Sequence, residues 1–161
     1  MRPLAIAAYT MTSCLGRGLT PSRAALREGR SGLDTCRFET ASLPTYVGEI
    51  AGVDDTRLPG SLAAFDCRNN RAAELGLQQD GFEAAVARAV ERHGADRVAV
   101  VMGTSTAGIL QTELAYRRRD DGGALPADFD YRRTHNTYSV ADYVQSRLGL
   151  RGPCIAISTA C

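Results

Sequence analysis

The sequence contains no lysine: all 19 basic residues are arginine. That absence excludes a P-loop lysine and a Schiff-base lysine from this chain. Charge of either sign is not in excess. The formal net charge is +1, so no bulk field draws nucleic acid or an anionic membrane, and neither is an expected partner. No apolar run approaches the ~18 residues needed to span a bilayer. The opening stretch MRPLAIAAYTMTSC is too short in its apolar part for a signal peptide, and it fits a first buried strand better. The five cysteines (14, 36, 67, 154 and 161) are odd in number and contain no C-x-x-C. His93 and His135 form no ligand cluster with them. A zinc site and a disulfide scaffold are therefore not expected, and reduced thiols in a cytoplasmic protein are.

What is present is a chain of 161 residues, 44% hydrophobic and 23% charged. That suffices for one globular domain or part of a larger one. Residues 2–10 read as a buried strand, and SCLGRG reads as a glycine-bearing loop. TPSRAALREG carries helix signals: Thr20 as N-cap, Pro21 at the first helical position and Gly29 as terminator. Residues 30–60 are irregular, with a short strand through TYVGEI. A helical pattern runs through DCRNNRAAELGLQQ. A second occupies FEAAVARAVERHG, where Phe82, Ala85, Val86, Ala89 and Val90 share one face. His93 closes that helix as a solvated residue at its negative end.

The continuous apolar run Val98–Met102 predicts a strand covered on both faces. A glycine-rich turn and the helix ILQTELAYRRR follow. DDGGALPADFD reads as a surface loop. HNTYSVADYVQSRLG is an amphipathic helix with Val140, Tyr143, Val144 and Leu148 on one side, ended by Gly149. The last strand is CIAIS. Helices alternating with apolar strands predict an α/β fold with a largely parallel sheet.

Two short stretches carry the chemistry. GTSTAG, Gly103 to Gly108, lies between a strand and a helix. Its glycine spacing matches the start of a P-loop, but Ile109 and Leu110 stand where Lys-Ser/Thr is required. It reads as a tight strand-to-helix turn, or as a wall of small residues beside an acyl chain. The second stretch is STAC, which ends on Cys161. Small residues ahead of a cysteine permit a strained turn at a strand end. A following helix would then stabilise the thiolate, and the cysteine's own N–H could help bind an oxyanion. A buried structural thiol is the competing reading of Cys161. A disulfide with Cys154, seven positions away, is out of reach along one strand.

The segment NTYSVADYVQSRLGLRGPCIAISTAC resembles the approach to the nucleophile in the β-ketoacyl-acyl-carrier-protein synthases, the elongating condensing enzymes of the thiolase superfamily. AIAAYTMTSCLGRG with LREGRSGL is similar to their opening, and RVAVVMGTSTAGI to the strand and glycine turn midway through their first half. The details of GTSTAGIL and NTYSVADYV resemble a bacterial branch making polyene-type products.

The resemblance implies the thiolase-like fold, layered α/β/α/β/α in the complete enzyme. Residues 1–161 would be the first of its two βα halves, and the C-terminal half is not in this sequence. It implies decarboxylative Claisen condensation of an acyl thioester held on Cys161 with malonyl-acyl-carrier protein, in fatty-acid or polyketide/polyene synthesis. It also implies a homodimer or a heterodimer with a related subunit. No cofactor is implied, because phosphopantetheine arrives on the carrier protein. Thr106 falls where the family controls acyl-tunnel length, and Tyr131 in a stretch that reaches the partner's tunnel.

The sequence also departs from the family pattern. The family's two catalytic histidines and its lysine lie downstream of the nucleophile. His93 and His135 precede Cys161 and match neither position. The chain is therefore expected to be the leading portion of a longer enzyme. A non-catalytic chain-length-determining subunit is one alternative, although such subunits usually lack the nucleophile. An initiating synthase using acyl-CoA is another, which the GLRGP lead-in disfavours.

Overall fold

The computed structural model describes residues 3–38 and 42–159. Six short strands and five α-helices are placed among them. A hairpin, β1 (Thr12–Ser13) and β2 (Gly16–Arg17), leads into α1 (Leu19–Glu28). A second hairpin pairs β3 (Leu33–Thr35) with β4 (Tyr46–Gly48). A 3-10 turn at Gly60–Phe65 precedes α2 (Arg68–Leu77) and α3 (Phe82–His93). Strand β5 (Val100–Gly103) is followed by α4 (Ile109–Arg117). A single π-helical turn at Tyr131–His135, α5 (Ser139–Arg147) and β6 (Cys154–Ile157) complete the order.

β5 and β6 pair in parallel, in register from Val100 opposite Cys154 to Gly103 opposite Ile157. A parallel pair needs a long crossover, and the residues between them supply it with α4 and α5. The core lies on one side of this pair. Tyr143, Val144 and Ala141 of α5 are buried with Val100, Leu77 and Leu150. Phe82, Val86 and Val90, the predicted face of α3, pack against that cluster. The chain reaches β6 through a tight corner. A Cβ on Gly152 would stand 2.4 Å from the Val98 carbonyl oxygen, so only glycine lets the corner approach β5 this closely. The amides of Arg151 and Gly152 both donate to the Ala95 carbonyl, at 3.0 and 3.1 Å.

A charged network ties the helices to one another. Glu74 of α2 is buried, and its carboxylate accepts the Tyr143 hydroxyl at 2.5 Å and the Arg147 Nε at 3.0 Å. Arg147 also donates to Glu83 of α3 at 2.8 Å. Burial, together with the hydrogen bond to Glu74, pushes the Tyr143 phenol far above its ordinary range.

Four expectations need correction. Residues 3–10 form no strand. Leu4 is 96% exposed and Ile6 84%. An apolar extended segment becomes a strand only where a neighbour offers a ladder, and the β5–β6 sheet holds two strands among the described residues. The Val98–Met102 run is covered on one face only: Val100 is buried, whereas Val101 is 63% exposed. Among the described residues the parallel character belongs to β5–β6 alone, because β1–β2 and β3–β4 are antiparallel hairpins. Finally, α1 begins at Leu19, ahead of the Thr20–Pro21 signal. The Asp80 carboxylate, from the α2–α3 turn, accepts the Leu19 N–H at 3.0 and 3.1 Å and so caps the helix from outside it. The predicted terminator holds: Gly29 closes α1 in the left-handed conformation.

Candidate active site

The carboxyl ends of parallel strands are where α/β sheets place their chemistry. Here those ends are tied together. The Thr104 amide, just past β5, donates to the Ile157 carbonyl at the end of β6 at 3.1 Å. The glycine-rich turn therefore lies beside Ser158 and Thr159, the residues leading towards Cys161. Cys161 itself lies outside the described residues.

Within the turn, the Thr104 hydroxyl donates to the Thr106 carbonyl at 2.7 Å. Ala107 and Gly108 are buried, and Thr106 is exposed. Gly108 has φ +53° and precedes α4. A Cβ on it would sit 1.6 Å from the Thr134 carbonyl oxygen. Positive φ and this contact both demand glycine. The π-helical turn is thus packed directly on the start of α4. A second contact locks them: the Thr112 hydroxyl and His135 Nδ1 are hydrogen-bonded at 2.5 Å. Tyr131, on the same turn, is 57% exposed with its ring centroid 5.3 Å from that of His135.

A cavity of about 400 Å³ opens between β4, α2 and the start of α4. Thr106 lines it, with Val47, Ile50, Val53 and Leu110 as apolar walls. Tyr131 does not line it. The structure therefore does not bring the two expected tunnel residues into one cavity; the Gly108–Thr134 contact joins the elements that carry them.

Two of the other thiols, Cys67 and Cys154, differ from what a nucleophile requires. Burial pushes Cys67 up, against the opposing pull of the Asn70 and Asn69 amides. Burial also raises Cys154. Both are protonated at neutral pH, which suits structural thiols. His93 is exposed in the last turn of α3, as expected. Among the described residues no group of three or more His, Cys, Asp or Glu is placed to hold a metal ion. No helix among them is long and apolar enough to cross a membrane.

Some residues of this neighbourhood were not legible beforehand. Nothing local marks the π-helical turn, and no periodicity links Thr112 to it. The one local signal here is the stretch GTSTAG, which reads as a strand-to-helix turn or as a wall of small residues.

The sequence matches the family description "Beta-ketoacyl synthase, N-terminal domain" over residues 1–161. No curated protein matches it. Among solved structures, it is similar to a chain of the "Ketosynthase (ApeO) in Complex with its Chain Length Factor (ApeC) from Xenorhabdus doucetiae", at 22% identity and a TM-score of 0.69. That similarity covers 96% of this chain and 39% of the other. At this identity the likeness is one of fold.

Proposed function

Because the chain belongs to the β-ketoacyl synthase family through its N-terminal domain, with the family's thiolase-like fold, we propose that it is the nucleophile-bearing half of an elongating condensing enzyme. The observation that carries this reading is the Thr104–Ile157 bond. It sets the start of the glycine-rich turn beside the segment that leads to Cys161, and Thr106 of the same turn lines the cavity.

The reaction has two stages. The Cys161 thiolate attacks the carbonyl of an acyl group carried as a thioester on acyl carrier protein. The C–S bond to the carrier breaks, and the carrier thiolate leaves. Malonyl-carrier protein then loses CO2, and the electron pair of the broken C–C bond remains on its α-carbon. That carbanion attacks the Cys161 thioester, a new C–C bond forms and the Cys161 thiolate departs. The product is a 3-oxoacyl thioester on the carrier. A thiol suits both stages, being a strong nucleophile as thiolate and a good leaving group. In this reading Thr106 stands on the wall of the acyl pocket, Tyr131 reaches towards the tunnel of a partner subunit, and Cys161 is the catalytic residue.

The proposed partners are acyl carrier protein, a C-terminal half supplying the remaining catalytic groups, and a second subunit, either identical or related. No bound cofactor is invoked, because the carrier brings the phosphopantetheine. The proposed setting is the cytoplasm. A chain-length-determining subunit is the competing role, and a cysteine at position 161 weighs against it.

The test is intact mass of the complete synthase after incubation with acyl-carrier protein. A mass gain equal to the acyl group, released by hydroxylamine and lost in Cys161→Ala, is expected. A thioester adduct that persists in Cys161→Ala removes Cys161 from the nucleophile's role.

A further inference from the structure

Asn70 of α2 is fully buried, and its side chain joins three segments. Its Nδ2 donates to the Phe65 carbonyl and to Ser139 Oγ, each at 2.8 Å, with the Arg133 carbonyl at 3.4 Å. Ser139, also fully buried at the start of α5, donates its own hydrogen to the Arg133 carbonyl. Chemistry fixes the orientation of the amide. Carbonyls only accept, so the NH2 group must face Phe65 and Arg133. The Asn70 Oδ1 is left with no partner among the described residues. An apolar side chain of similar size would avoid that loss. What the amide contributes is position.

The position concerned is that of the π-helical turn. Arg133 lies in it, and the next residue, Thr134, closes against Gly108. His135 then bonds Thr112 of α4. Asn70 and Ser139 thus place the turn, the turn places the start of α4, and the preceding loop carries Thr106. Resting on the condensing-enzyme reading above, we propose that Asn70 and Ser139 are positioning residues. They fix the place of the turn against the start of α4, and with it the cavity wall that carries Thr106, and so hold the synthase to a narrow range of acyl-chain lengths.

Two substitutions test this. Asn70→Asp is isosteric and sets a carboxylate oxygen against two carbonyls. Ser139→Ala removes only the relaying hydroxyl, so it carries the test should Asn70→Asp fail to fold. The complete synthase is supplied with acyl- and malonyl-carrier proteins, and mass spectrometry reads the chain lengths of the carrier-bound products. Each variant is expected to raise the share of off-length product about fivefold, the factor that one net hydrogen bond is worth, while total product falls less. The double variant is expected to add little, since both residues act in one relay. Amide exchange on the same proteins should lose protection at Thr134, Asn136 and Thr112 and keep it along α3.

Faster exchange with an unchanged chain-length distribution overturns the proposal, because the relay is then structural only. Unchanged exchange or additive effects overturn it as well. A parent synthase that forms no condensation product overturns the enzymatic reading and this proposal with it. A productive parent whose variants keep its distribution overturns this proposal alone.

Discussion

Asp80 shows how much a single side chain can set from a distance. It holds φ +55°, the left-handed region that L residues other than Asn and Asp rarely enter. From there its carboxylate takes the Leu19 N–H and the Thr10 hydroxyl, the latter at 2.7 Å. Asp80→Ala removes the cap and keeps the strained backbone, so it should cost about 1 kcal/mol in urea unfolding. Asp80→Asn keeps an acceptor and tolerates the conformation, so it should cost less. Equal losses for the two would separate the cap from the stability. Thiol chemistry gives a second test at this scale. Burial raises Cys67 and Cys154 above the ordinary thiol value, so their thiolate fraction is still climbing when an ordinary thiol has levelled off. Their iodoacetamide labelling rates, followed by peptide mass spectrometry, should still be rising with pH above about 10, where an ordinary thiol is almost fully ionised. A plateau near neutrality at either position would contradict burial as the controlling influence.

Elements were legible where one local pattern decides them. The 3.6-residue spacing of Phe82, Val86 and Val90 gave α3 its limits, because Gly81 and Gly94 bound the same stretch. Tyr143 and Val144 marked the buried side of α5 in the same way. The failures all involve distant partners. The cap of α1 sits 61 residues away, and the apolar stretch 3–10 lacked a ladder that no local property could reveal. The site divides similarly. The glycine-rich turn after β5 was legible as a strand-to-helix connection, but its attachment to residues 134 and 135 was not. Among the helices, Arg147 is the joint to test. It faces the buried Glu74 and the half-exposed Glu83 from α5. Arg147→Met should cost about 3–5 kcal/mol, since it strands the Glu74 carboxylate without its cation. Adding Glu74→Gln should recover part of that loss. Arg151, whose partner Asp96 is exposed, serves as the control and should cost little when changed to Met. Equal losses at Arg147 and Arg151 would mean that burial does not govern the network.

At the scale of the whole molecule, apolar surface and weak net charge act together. Val101, Ile155 and Ile157 form the outer face of β5–β6 and are 45–63% exposed. Leu4 and Ile6 add further apolar exposure. Contiguous apolar patches on a sheet favour association. A net charge of +1 and a pI near 7.6 leave little electrostatic repulsion to oppose it at neutral pH. Residues 1–161 expressed alone should therefore self-associate with rising concentration in sedimentation velocity. Val101→Thr with Ile155→Thr keeps β-branched side chains on the strands and polarises the face. The pair should shift the distribution towards monomer while leaving the melting temperature nearly unchanged, because neither side chain is in the core. If association persists in that variant, the sheet face is not its cause, and the exposed segment at residues 3–10 becomes the next surface to polarise. If the variant instead unfolds, the outer face contributes to stability in a way that its exposure does not explain.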